Sequence, residues 1–256
     1  MCVALGTRLA RALRTNAHAD TQTDRHIAML HTMELVAVAL PPVAYLAWIR
    51  FLRSPEFRSS KMPILLLRGR RQYNLSMSAY SAAVAIALWL KLARTQRFDS
   101  LENLLCRATP GVPAGWYLSK FVEFADTGFL VASGRAVSLL HLKHHAVAGS
   151  VVALNLLGRE GVPTPLFDVL SACNAFVHAW MYAYWAYPRA LRPLKRAITG
   201  AQIVQHGAAV VAILTSISAP MELSCDAPLR AYLPSLALYG MWLLEFVGLF
   251  VNLYHS

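Results

Sequence analysis

Charge is scarce in this chain, and acid is scarcer still. Asp, Glu, Lys and Arg make up 14% of the 256 residues, only 13 residues are acidic, and 57% are hydrophobic. A soluble domain carries about 25% charged residues, so the composition excludes an ordinary water-soluble fold and predicts an all-α protein threaded several times through a bilayer. There is no internal repeat, no low-complexity tract, no apolar secretory leader and no polar second domain. The last apolar stretch, 232–254, contains no Lys, which disfavours a seven-span photoreceptor that would hold retinal as a Schiff base.

Apolar runs of bilayer length fall at 33–52, 74–92, 116–133, 137–157, 166–187, 198–217 and 232–254, so seven transmembrane helices are expected. The connections alternate in charge. One side holds Arg53, Arg58, Lys61, Arg68, Arg70, Arg71, Arg135, Arg189, Arg192, Lys195 and Arg196 against Glu56, net +10, and the other side totals +2. Basic connections stay cytosolic, so the N-terminus is expected in the lumen and the C-terminus in the cytosol. The net charge of +11 then resides mostly in cytosolic loops and does not call for nucleic acid. Residues 1–30 read as a luminal tail ahead of one domain over 31–256. Arg8, Arg11 and Arg14, with no acid before Asp20, also give the tail the look of an organelle transit segment. Of the four cysteines, Cys106 and Cys225 fall in two loops that this topology places together in the oxidising lumen, and a disulfide between them is expected.

Against this apolar background the polar residues inside the predicted spans stand out, because ionisable groups at membrane depth are costly and mark function. Lys120, Glu123 and Thr127 recur at i, i+3, i+7 with Asp126 beside them, and His141, His144 and His145 share one helical face. Lys143 points the other way and is expected to snorkel to the surface. Asn174, His178 and Tyr182 form a second stripe, and Thr199, Gln202 and Gln205 a third. Each set has a plain alternative: a buried ion pair or hydrogen bonds between helices. Glu245 and Asp168 read as lone acids near span ends. The topology brings the three stripes toward one polar chamber open to the cytosol. Three clustered histidines also suit a metal, zinc by ligand chemistry. A metal-dependent desaturase or hydroxylase of the membrane is one alternative, yet only His141, His144, His145, His178 and His206 of nine histidines lie within spans, too few for its several histidine boxes. A transporter is the non-enzymatic alternative.

Lys120-x-x-Glu123-x-x-Asp126-Thr127, then His141-x-x-His144-His145, then Asn174 to Trp185 with His178 and Tyr182, then Thr199-x-x-Gln202-x-x-Gln205 resemble, in order and spacing, the fatty acid elongase (ELO) family. Tyr73-Asn74 and Phe250-x-Asn252-x-Tyr254 fit it as well. The resemblance implies six helices closed around an acyl/CoA chamber with the first span peripheral. It implies a very-long-chain 3-ketoacyl-CoA synthase in the endoplasmic reticulum membrane, condensing acyl-CoA with malonyl-CoA through an acyl-imidazole on His144. His141, His145 and His178 would assist, Asp126 or Glu123 would orient His144, and Lys120, Thr127, Asn174, Tyr182, Thr199, Gln202 and Gln205 would line the substrate path. No metal or other cofactor is implied. Expected partners are the ketoacyl-CoA reductase, the dehydratase and the enoyl-CoA reductase of an elongation cycle. The chain departs from the family at Trp185 and Lys143, and Tyr254-His255-Ser256 is no lysine-based retrieval tail. The absence of Gln from 133–140 leans toward saturated or monounsaturated substrates.

Overall fold

The computed structural model describes residues 32–33, 35–95, 114–157, 165–218 and 229–254. Among these residues the regular structure is entirely helical. The elements are α1 (Leu35–Leu52), α2 (Pro55–Ser59), α3 (Met62–Thr95), α4 (Ala114–Val122), α5 (Ala125–Ala132), α6 (Leu139–Leu157), α7 (Pro165–Ala186), a 3-10 turn (Arg192–Leu194), α8 (Lys195–Ser218) and α9 (Leu229–Tyr254). Helix falls within each predicted apolar run. Four of these helical segments, α1, α3, the 3-10 turn with α8, and α9, are long and apolar enough to cross a membrane. Of the others, α4 and α5 are short, and α6 and α7 hold histidines and amides among their apolar residues. The chain is a membrane protein with multiple apolar helices.

Three boundaries differ from the sequence expectation. α3 begins at Met62, twelve residues before the predicted span, so Arg68, Arg70 and Arg71 are helical rather than in a loop. At 34 residues it is about 50 Å long against an apolar bilayer core of about 30 Å, and its first turns carry that basic cluster beyond the apolar stretch. Asn74, expected at a span edge, is instead buried within this helix at 2% exposure. The predicted span 116–133 is not one helix. The backbone tightens at Glu123 and Phe124, where Asp126 N–H bonds the Glu123 carbonyl (3.0 Å) and Thr127 N–H bonds the Phe124 carbonyl (3.2 Å). Trp48 Nε1–H donates to that same Phe124 carbonyl at 2.8 Å, compensating a helix break that would otherwise strand polar backbone. Cys106 and Cys225, and with them the expected disulfide, lie outside the described residues, as do all of residues 1–30.

α5 ends in a Schellman turn: Arg135 N–H bonds the Leu130 carbonyl (2.9 Å), Gly134 N–H bonds the Val131 carbonyl (3.0 Å), and Gly134 takes φ +67°. That left-handed position is open to glycine at little cost, and it returns the chain directly into the histidine helix. α3 packs along α7 through Val84, Ala85, Leu88, Phe167, Ala172 and Ala175. Two polar links tie the pair: Ser78 Oγ–H to the Ala179 carbonyl at 2.8 Å and Lys91 to Asp168 at 2.7 Å. Asp168 is thus a paired acid, not a lone one. α1 presents Leu35, Val36, Val43 and Leu46 outward, but its inner edge is engaged. Tyr117 O–H bonds the Ala37 carbonyl (2.7 Å) and Ser150 O–H bonds the Val38 carbonyl (2.6 Å). A Cβ on Gly149 would stand 2.7 Å from Pro41 Cγ, so the bare glycine is what lets α6 approach α1 so closely.

Candidate functional site

The three polar stripes meet. A cavity of about 270 Å³ is lined by Glu123, Asp126, His141, His144, His145, Asn174, His178, Tyr182, Thr199, Gln202 and Gln205, with Lys195, Phe246 and Leu253 among its further walls. Of the residues that made up the three polar stripes and the histidine face, only Lys120 and Thr127 are not on this surface, and both stand directly behind it. Lys120 borders a smaller adjoining cavity of about 50 Å³. Thr127 is buried beneath His141, its Oγ1 2.9 Å from His141 Nε2.

The α4–α5 wall is held by side chains on side chains. Lys120 Nζ donates to Glu123 Oε1 at 2.8 Å, with both groups 4% or less exposed, and lies 3.9 Å from the centroid of the Trp116 ring. A buried charge is tolerated only when paired in this way, and the ring face adds a second favourable contact for the ammonium. Glu123 Oε1 also lies 3.7 Å from His178 Nδ1. Tyr182 O–H donates to Asp126 Oδ2 at 2.8 Å. Thr127 Oγ1 shares a second hydrogen bond, 2.9 Å, with the Tyr45 hydroxyl of α1. The expectation that Asp126 or Glu123 orients His144 is therefore corrected: Asp126 is taken up by Tyr182, Glu123 by Lys120 and the flank of His178, and neither acid bonds His144. The helix break explains the shift, since it turns Asp126 and Thr127 away from the face that Lys120 and Glu123 share.

The histidines of α6 divide. His141 and His145 pack ring on ring with centroids 4.2 Å apart, and His145 stacks on Tyr45. His144 faces the other way, its ring 4.9 Å from Trp242 of α9, and its Nδ1 is enclosed with no hydrogen-bond partner among the described residues. Among those residues no three His, Cys, Asp or Glu side chains are gathered to hold a metal ion. Lys143, expected to snorkel alone, donates to Glu245 Oε1 at 2.7 Å. That pair joins α6 to α9, so neither residue is isolated. Gln202 Nε2 reaches Met181 Sδ at 3.7 Å, and Thr199 O–H bonds the Lys195 carbonyl.

A further cavity of about 340 Å³ abuts the first, sharing Asp126, His141, Tyr184 and Trp185, and adds Arg70, Asn74 and Arg135. Arg70 and Arg135 of this cavity and Lys195 of the first thus place three cations around the mouth.

Several site residues escaped the sequence reading. Tyr45 and Trp48 carry no polar spacing, and only the fold brings α1 against Thr127 and Phe124. Trp242 is an aromatic among aromatics. His206 had a signal: Thr199, Gln202 and His206 fall at i, i+3, i+7, the same face as the predicted stripe. It is 2% exposed and borders both the main and the small cavity.

Comparison with known proteins places the chain among fatty acid elongase relatives. The chain is 28% identical over 214 residues to "Putative fatty acid elongase 2" of Schizosaccharomyces pombe, covering 76% of this chain and 57% of that protein. It is 28% identical over 210 residues to "Very long chain fatty acid elongase 2" of Rattus norvegicus, covering 75% and 70%. It is 25% identical over 235 residues to "Very long chain fatty acid elongase 5" of Xenopus laevis, covering 84% and 74%. The chain thus spans little more than half the length of the yeast relative. The family model described as ELO, the GNS1/SUR4 family, matches residues 29–256, and that match takes in every element of the site: the chain belongs to the GNS1/SUR4 (ELO) family.

Proposed function

We propose that this protein is a fatty acid elongation enzyme of the 3-ketoacyl-CoA synthase type, joining a fatty acyl-CoA to malonyl-CoA. One observation carries the reading: five histidines, two acids and three amides converge on a single cavity large enough for a thioester and its neighbouring carbons. The relatives, named as fatty acid elongases, support it.

In the proposed course a ring nitrogen of His144 attacks the acyl thioester carbonyl. The C–S bond breaks, CoA leaves as the thiolate and takes up a proton, and the acyl group remains on the imidazole. Neutral imidazole is a competent nucleophile near neutral pH. Malonyl-CoA then loses CO2. The electron pair of the broken C–C bond forms an enolate, whose carbon attacks the acyl carbonyl and expels His144. His178, on the same wall as Asn174 and flanked by the Lys120–Glu123 pair, is placed to stabilise the enolate oxygen or the tetrahedral oxyanion. Arg70, Arg135 and Lys195 at the mouth suit the phosphates of CoA. No metal, nucleotide or flavin enters any step. The 3-ketoacyl-CoA product calls for a reductase, a dehydratase and a second reductase next.

With seven spans, the N-terminus in the lumen and the C-terminus in the cytosol, the mouth faces cytosolic CoA esters from an endoplasmic reticulum membrane, and Cys106 and Cys225 would pair on the luminal side. Microsomes expressing the chain, given labelled malonyl-CoA and a panel of acyl-CoAs, are expected to form labelled product two carbons longer. No CoA-dependent product with any acyl-CoA would overturn the reading. Active purified protein is expected to contain no stoichiometric iron or zinc, and a metal whose removal abolishes activity would revive the desaturase or hydroxylase alternative.

A further inference from the structure

Behind His144 lies the small cavity of about 50 Å³, bordered by His144, Gln205, His206, Trp242, Lys120 and Asn174 among apolar neighbours. Four of those residues share one property. His144 Nδ1, Gln205 Oε1, His206 Nδ1 and Trp242 Nε1 are each enclosed without a hydrogen-bond partner among the described residues. Their rings adjoin, since Trp242 stands 4.9 Å from His144 and 5.6 Å from His206, centroid to centroid. His206 is itself fixed from behind by stacking on Phe246 at 5.3 Å. Gln205 Nε2 and His206 Nε2 are 3.4 Å apart, a contact rather than a strong hydrogen bond.

Enclosed polar atoms without partners cost about 1–3 kcal/mol each, and they are satisfied either by protein or by water. A cavity of this size holds one or two waters, and a buried water requires two to four polar partners. It is too small for an acyl tail. We propose that this cavity is a water-binding site and that His206 is a positioning residue, a water held by His206, Gln205 and Trp242 being the group that hydrogen-bonds Nδ1 of His144. The water accepts from His144 Nδ1–H and Trp242 Nε1–H and donates to Gln205 Oε1 and to His206 Nδ1; in this tautomer His206 carries its proton on Nε2, so the 3.4 Å approach of Gln205 Nε2 is a contact without a hydrogen bond. With the proton held on Nδ1, Nε2 of His144 keeps its lone pair, the form that a nucleophilic imidazole requires. The water thus supplies the orienting partner that neither Asp126 nor Glu123 provides.

The consequence for rate rests on the reading of His144 as nucleophile, but the binding site does not, and the test separates them. Full-length protein labelled with ¹⁵N-histidine, in lipid nanodiscs, reports which ring nitrogen of His144 carries the proton, with the resonance assigned by its loss in His144→Gln. The wild type is expected to show Nδ1–H. His206→Phe, which fills the space without a polar atom, is expected to lose that bias and to slow acyl-CoA-dependent CoA release about three- to tenfold, the worth of one hydrogen bond. His206→Gln restores a polar partner and is expected to recover both. If His206→Phe does not fold, Trp242→Phe, which removes only the N–H and part of the ring, is expected to weaken the same bias. An unchanged His144 tautomer in His206→Phe or its substitute would overturn the proposal, as would equal losses in the Phe and Gln variants. Normal condensation by His144→Ala would instead sink the nucleophile reading, while the tautomer measurement would still decide the water site.

Discussion

The two walls of the cavity are built on opposite principles. On the α4–α5 side nearly every polar atom has a protein partner: Lys120 with Glu123, Tyr182 with Asp126, and Thr127 with both His141 and Tyr45. One oxygen of Asp126 and the His178 Nδ1 beside Glu123 are the exceptions among the described residues. On the side where α6 meets α8 and α9, His144, Gln205, His206 and Trp242 each keep an enclosed polar atom without one. In an apolar medium a satisfied network rigidifies, whereas unpaired groups are receptive to whatever brings the missing bond. The first wall is framework, and the second is the one that the proposed function and the water site assign to ligands. The three box histidines straddle the division: His141 is bonded into the framework and His144 is not.

Breaking the receptive wall at its centre should have the largest effect. His144→Ala is expected to lower condensation by at least about 10³-fold while membrane insertion and thermal midpoint stay near wild type. Near-normal product formation would refute the assignment. Next is the framework. Lys120→Met leaves Glu123 buried and unpaired, a loss of about 3–5 kcal/mol, read as a fall in the unfolding midpoint of the detergent-solubilised protein. Adding Glu123→Gln should recover most of it, and a double variant as unstable as the single one would show that the pair is no unit. Smaller effects test how far the framework extends into α1. Gly149→Ala drives a methyl group into Pro41 and is expected to cost about 1–3 kcal/mol by overpacking. Tyr45→Phe removes one hydrogen bond from Thr127 and is expected to cost about 1 kcal/mol. Unchanged stability in both variants would make α1 a passive flank.

The sequon Asn74-Leu75-Ser76 shows where a sequence argument loses its grip. From the sequence, an unmodified Asn74 would support a cytosolic position. Its burial within α3 keeps a glycan off whichever side the helix end faces, so orientation must be read from the loops instead. Lys143 is similar. Its neighbours in sequence say only that it opposes the histidine face, and its partner Glu245 is 102 residues away.

Composition and spacing alone determined that the chain is helical and built for a membrane, and named most of the polar residues that line one cavity. Those inferences rest on local facts: the length of apolar runs, the 3.6-residue period and the cost of charge at membrane depth. Which polar groups pair was decided by the tertiary structure. The helix breaks at Glu123 and Phe124, Trp48 of α1 compensates the break from outside, and Asp126 is delivered to Tyr182 rather than to His144. A hydrogen bond requires its partners within about 3 Å, and for side chains 56 or 82 residues apart only the packing of helices sets that distance.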